Sequence, residues 1–285
     1  MITGYSNIIS VTTSAPSLLL DLYPSAAAAY SVRLLRSAYT GSAIQVRRSS
    51  DNTTQNIGFT AVGNLDTAAL LSFVGTGATD NGFVTTWYDQ SGNGKNAINT
   101  TGIFQPLIVS AGALLTLNSK SAIRFDGSND SLDKTSFGFP TTKISLVKVN
   151  NRIGSSQNYD SIGYTVTGGI INDNENGLIG FIGRPSGASF FLGDSGFAST
   201  NNQILQFNIY DGTALKASTN GNTFGTASVS SNPIVYGSQI LNIGSGGNGV
   251  DYGNGNTQEL VIWDVDQTSN KLGIETNVNT YYGTY

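Results

Sequence analysis

From residue 103 onward the chain is written in short runs of β-branched and aromatic residues, each cut off by Gly, Asn, Asp or Pro. The clearest are "SAIRFDGSNDSL", "KISLVKV", "GLIGFIGR", "ASFFLGDS", "ILQFNIYDGTALKAST", "GTASVS", "ILNIGSG" and "ELVIWDV". Runs this short, with turn chemistry between them, suit strands whose side chains alternate between two faces. They predict an all-β fold, an antiparallel β-sandwich or jelly roll with a few short helices. A chain of 285 residues suits one such domain. The expected organisation is an arm over residues 1–24, which docks on another subunit or protein, and a sandwich over 25–285.

Three helices interrupt this pattern. In "PSAAAAYSVRLLRSAYTG", Pro24 suits a first turn and four alanines follow, which predicts a helix over about 25–39. "NLDTAALLSFVG" predicts a short helix with Asp66 as N-cap and Gly75 just past its end. Near the end, Leu272, Ile274, Val278 and Tyr281 approximate one helical face. "AIQVRRSSDNTTQNIGFT" reads as two strands around a turn near Asp51 and Asn52.

Composition removes whole classes of chemistry. The chain has no Cys and no His, which excludes disulfides, thiolate metal sites, cysteine nucleophiles and Ser-His-Asp catalysis. Hydrolysis would have to run on carboxylates. With 14 Lys+Arg against 18 Asp+Glu there is no basic footprint, so nucleic acid is not an expected partner. No run approaches the length of a membrane span, and the N-terminus lacks the basic and apolar regions of a secretory signal. Charged residues are only 11% of the chain, so its polar surface is built from hydroxyls and amides, which suits sugars and dense assemblies.

The blocks "AYSVRLLRSAYTGSAIQVRRSSDNTTQNIGF", "LDTAALLSFVG" and "GFVTTWYDQSGNGKNA", occurring in order, resemble the first half of the α-L-arabinofuranosidase B catalytic domain. The same block is similar to a module of phage virion and Bacteroidetes surface proteins, over roughly residues 26–127. "FNIYDGTALKASTNGNTFG", "QELVIWDVDQT" and "IETNVNTYYGTY" resemble the concanavalin A/laminin-G-like sandwich. The arabinofuranosidase resemblance implies a retaining mechanism with two carboxylates about 5 Å apart. In that family the nucleophilic glutamate follows a cysteine-rich segment, which this chain lacks, so the resemblance assigns no catalytic position. Glu175 with Asp173 is one candidate pair, though "NDNENG" reads first as a polar turn. Glu259 opens a strand and Glu275 lies in the last helix.

Other segments offer binding chemistry. In "TTWYDQSGNGKNA", Trp87 and Tyr88 point to opposite faces of a strand. Asp89 and Ser91 suit a corner held by side-chain bonds to backbone N–H groups, with ligand contact the lesser reading. "FDGSNDSLD" places Asp126, Asn129, Asp130 and Asp133 at a spacing that Ca²⁺ could use, but a hairpin turn is the simpler reading. Sugar sites pair an aromatic face with planar polar groups. The loops "SSQNYDSIGY" and "GGNGVDYGNGN" offer this mixture, so Tyr159, Asp160, Asp251, Tyr252 and Asn254 join Trp87 and Asp89 as glycan-binding candidates.

The reading that unites these points is a non-catalytic phage virion protein: a capsid decoration, head fibre or tail component that binds host or mucosal glycans. It would be multicopy, carried on the particle beside other virion proteins, made in the host cytoplasm, and need no cofactor. The alternatives are a carboxylate-dependent glycoside hydrolase acting on arabinose-containing polymers, and a decoration protein with no ligand.

Overall fold

The computed structural model describes residues 17–285 apart from 140–142, 155–159, 166–167, 176–177, 185–190, 198–200, 226–233, 235, 237 and 247–250. Its strands are antiparallel, and one hydrogen-bonded path links nearly all of them. The path starts at Leu215–Thr219 and crosses Ile204–Tyr210 and Ile144–Arg152 to the long strand Asn254–Trp263. The far edge of that strand is shared between Ile123–Asp126 and Ala28–Ser31. Pairing then passes through Leu107–Ser110 to Gly82–Trp87, whose other edge carries the hairpin Ile44–Arg48/Thr54–Ile57. From there it continues through Ala97–Ile98 to Leu132–Lys134, Leu241–Ile243 and Asp160–Thr165. Gly168–Glu175, Leu178–Arg184 and Phe191–Asp194 complete it. The path curls until Leu178–Arg184 and Phe191–Asp194 meet Leu215–Thr219, closing the layers over one core. This is the expected all-β sandwich.

The alanine run is a strand, not the helix expected over 25–39. Ala28–Ser31 pairs with residues 259–262, and Ala26 through Ala29 are buried. Tertiary pairing outweighs the helix propensity of alanine, which is a preference of under 1 kcal/mol per residue. The segment "DQSGN" supplies much of that context. Asp89 accepts from Ala29 N, Ser91 N, Ser91 Oγ and Lys95 N at 2.8–2.9 Å, so both carboxylate oxygens are spent. Gln90 accepts from Leu35 N and donates to Ser31 O and Arg33 O, while Asn93 donates to Ala26 O and Ala27 O. Gly92, at φ 95°, makes the turn that lets one loop reach the alanine strand from Ala26 to Ser31 along the edge not paired with residues 259–262. The motif is a clamp.

Of the segment expected as an arm, residues 17–24 are described, and they belong to the body. Helix α1 (Leu19–Leu22) buries Leu19 and Leu20 against the core. Helix α2 (Thr67–Val74) has the expected caps: Asp66 accepts from Ala69 N, and Gly75 stands at φ 100°. Helix α3 (Lys271–Tyr282) covers the outer face of the sheet with Ile274, Val278 and Tyr282, spaced i, i+4, i+8. Leu272, expected on that face, is 79% exposed.

Candidate active site

The strand Ile144–Arg152 alternates, and Leu146, Lys148 and Asn150 share one face. Across the ladder Lys148 lies opposite Gln206, and Leu146 opposite Asn208. Such polar alternation usually marks a solvent face, yet Lys148, Asn150, Gln206 and Asn208 are fully buried. They face inward, where the second layer supplies Asp160 and Asn172. Lys148 Nζ lies 2.6 Å from Asp160 Oδ2, with both side chains fully buried. Asn172 donates to Asp160 Oδ2 at 3.3 Å and to Gln206 Oε1 at 3.2 Å. Asn208 donates to Asn172 Oδ1, and Asn150 to Gln206 Oε1. The other oxygen of Asp160 accepts from Gly244 N at 3.2 Å. One carboxylate thus ties together both layers and the start of the hairpin that follows Leu241–Ile243.

Register places what lies beyond this floor. Asp160 is opposite Asn172 on one side and Ile243 on the other, so these three are level across adjacent strands. Gly168–Glu175 and Leu241–Ile243 therefore run in the same direction, and three residues further on Glu175 is about level with Gly246. Gly246 N donates to Asp251 O at 2.8 Å, and Ser245 bridges Tyr252. Glu175 and Gly246 thus sit at the same end of one sheet, two strand spacings or about 10 Å apart, and Asp251 is the backbone partner of Gly246 at that end. Asp173, two residues before Glu175, lies opposite Gly180.

Three other carboxylates of the chain's second half are held in ion pairs. Of the three glutamates, Glu259 is fully buried with Arg33 Nε at 2.7 Å and also accepts from Ser31. Glu275 is paired with Lys271 at 2.6 Å; burial pushes its carboxyl up, and Lys271 opposes that rise. Asp211 is bound to Lys216 at 2.7 Å. Glu175 is the remaining glutamate.

Several expected site residues take other roles. Trp87 is fully buried against Tyr30, their ring centroids 5.9 Å apart, so it is core and offers no platform. Asp89 belongs to the clamp. Asp160, expected on a ligand-facing loop, is buried in the ion pair. Tyr159 lies outside the described residues. Asp251, Tyr252 and Asn254 are half-buried and close together on the hairpin and the strand after it. In "FDGSNDSLD", Asp126 accepts from Ser128 N and Asn129 N, and Asp130 from Asp126 N, which makes the segment the expected turn. Among the described residues no three acidic side chains gather as a metal site. Lys148, Asn172, Gln206 and Asn208 were not anticipated; polar residues at every second position of two apolar strands were the available signal.

Residues 21–112 match the family model "Alpha-L-arabinofuranosidase B, catalytic". Comparison with curated proteins finds no match. Among solved structures, an arabinofuranosidase complexed with arabinofuranosyl-α-1,2-xylobiose aligns with TM-score 0.66 and 18% identity. The alignment covers 95% of this chain and 66% of that one, so the chain spans about two thirds of that relative's length. A glutamate-to-glutamine variant of a GH54 α-L-arabinofuranosidase, soaked with 4-nitrophenyl α-L-arabinofuranoside, aligns with TM-score 0.65 at 18% identity over the same shares. Domain 4 of the arabinanase AbnA from Geobacillus stearothermophilus, in complex with arabinotriose, aligns at TM-score 0.50 and 12% identity, covering 66% of this chain and 91% of that one. The class the fold defines is therefore the β-sandwich of arabinofuranosidase catalytic domains. This corrects the expectation of a non-catalytic virion protein: the family model matched over residues 21–112 describes a catalytic domain, and the arabinofuranosidase fold extends over nearly all of the chain.

Proposed function

We propose that the chain is the catalytic domain of a carboxylate-dependent glycoside hydrolase that removes α-L-arabinofuranosyl residues from larger glycans. The observation that carries this is the placement of Glu175. Its backbone stands at the same end of the sheet as Asp251, and the other two glutamates, Glu259 and Glu275, are held in ion pairs. Glu175 is assigned as nucleophile and Asp251 as acid/base, with Asp173 beside them on the strand. Two carboxylates are the complete chemical requirement of retaining hydrolysis, so a chain without His or Cys lacks nothing for it. Tyr252, next to Asp251, supplies the aromatic face that sugar rings stack on. The Lys148–Asp160 network beneath fixes the two backbone segments that bring these groups together.

The test is release of nitrophenol from 4-nitrophenyl α-L-arabinofuranoside. Wild type should turn over, and Glu175→Gln should lose at least about a thousandfold in kcat. Asp251→Asn should be impaired more on an oligosaccharide than on the nitrophenyl substrate, whose leaving group needs little protonation. A wild-type protein with no turnover, or a Glu175→Gln variant as active as wild type, would overturn the assignment.

A further inference from the structure

A second cleft of about 670 Å³ lies on the N-terminal half, lined by Arg47, Phe83, Ile103, Gln105, Asp126 and Asp130 among others. Volumes of this order hold small organic ligands. Its cation is rigidly presented. Arg47 lies over the Phe83 ring at 4.5 Å and donates to Gln105 Oε1, Asn52 Oδ1 and Gly102 O. Five N–H donors less three bonds leaves two uncommitted.

The acidic wall is built differently. Asp130 is 5% exposed, and one oxygen accepts from Asp126 N. Burial first, and then the neighbouring Asp126, raise its carboxyl to about 7. Among the described residues none of Arg47, Asp126 and Asp130 forms an ion pair. Donors and acceptors thus face one space without cancelling, and their charges nearly balance. That chemistry suits neutral hydroxyls, which donate and accept at once, better than a phosphate or a metal ion. Ile103, 72% exposed at the rim, and Phe83 add the apolar surface that sugar C–H faces cover.

The position relates this cleft to the candidate active site. Asp126 pairs with Asn254, just beyond the Asp251–Tyr252 hairpin, and Leu132 lies opposite Ile243. Two residues before Leu132, Asp130 therefore lies beside the root of that hairpin, on the side away from Glu175. We propose that this cleft is a binding subsite for the neutral polysaccharide chain that carries the arabinofuranosyl group. It rests on the hydrolase reading for the identity of that polymer, but the recognition chemistry is the cleft's own.

Equilibrium binding separates the two claims, because it requires no turnover. The Glu175→Gln protein is run in native gels with and without soluble arabinoxylan, with dextran as the control polymer. Retardation by arabinoxylan and not dextran is expected. Adding Arg47→Met or Ile103→Ser should weaken it about fivefold each. Ile103 is solvent-exposed in the fold, so its variant remains informative if Arg47→Met misfolds. No retardation by arabinoxylan, equal retardation by dextran, or Ile103→Ser bound as tightly as its parent would overturn the subsite. Full turnover in Glu175→Gln with retained, cleft-dependent binding would refute the Glu175 assignment alone.

Discussion

The "DQSGN" clamp and the polar interior around Lys148 contain the same kinds of side chain, yet they spend them differently. In the clamp the Asp89 carboxylate, both ends of the Gln90 amide and the Asn93 amide nitrogen reach backbone partners, and the loop locks a strand into the core. In the interior, Asn150 Oδ1, Asn208 Oδ1, Thr219 Oγ1 and Thr257 Oγ1 are buried without a partner. A buried polar atom that no structural bond uses costs stability, and such costs concentrate at functional sites. The difference separates polar groups that build the fold from polar groups kept for something else. Trp87 Nε1, also unpartnered, is the exception in the first region.

Three substitutions press on this contrast. Asp160→Ala should be the most damaging, because it removes the buried carboxylate paired with the buried Lys148 ammonium; a loss of about 3–5 kcal/mol is expected in urea unfolding. Asp89→Ala should cost about 2–3 kcal/mol, since several backbone donors lose their acceptor while others are rehydrated at the half-open corner. If Asp89→Ala proved as harmful to turnover as to stability, the clamp would be more than structure. Thr257→Val should change stability by less than about 0.5 kcal/mol, because the hydroxyl it removes makes no bond. A large destabilisation would show that Thr257 Oγ1 belongs to the fold, and the contrast would fail.

Much of the architecture was legible in the sequence, and the site was not. The strand runs, the Asp66 and Gly75 caps and the hairpin near Asp51 follow from local chemistry, which neighbours in sequence settle. The alanine strand was misread because its conformation is set by residues 259–262 and by Asp89, all distant in sequence. Lys148 and Asp160 look like a solvent-facing lysine and a loop aspartate until the curl of the sheet brings them to 2.6 Å. Glu259 is a rare glutamate, and only its contact with Arg33, far away in the chain, removes it from the catalytic candidates. Glu175 is one of three glutamates, but "NDNENG" around it reads locally as a polar turn. Its level with Asp251 is a property of register across three strands, which no local pattern reports.

Glu175 as the reacting carboxylate is the claim on which the hydrolase assignment rests. An arabinofuranose-configured cyclic sulfate, which a nucleophilic carboxylate opens to form a stable ester, reports that directly by peptide mass spectrometry. The account predicts a single adduct on the peptide containing Glu175, absent in Glu175→Gln and prevented by competing substrate. A wild-type protein left unlabelled, or labelled on another carboxylate, would contradict it.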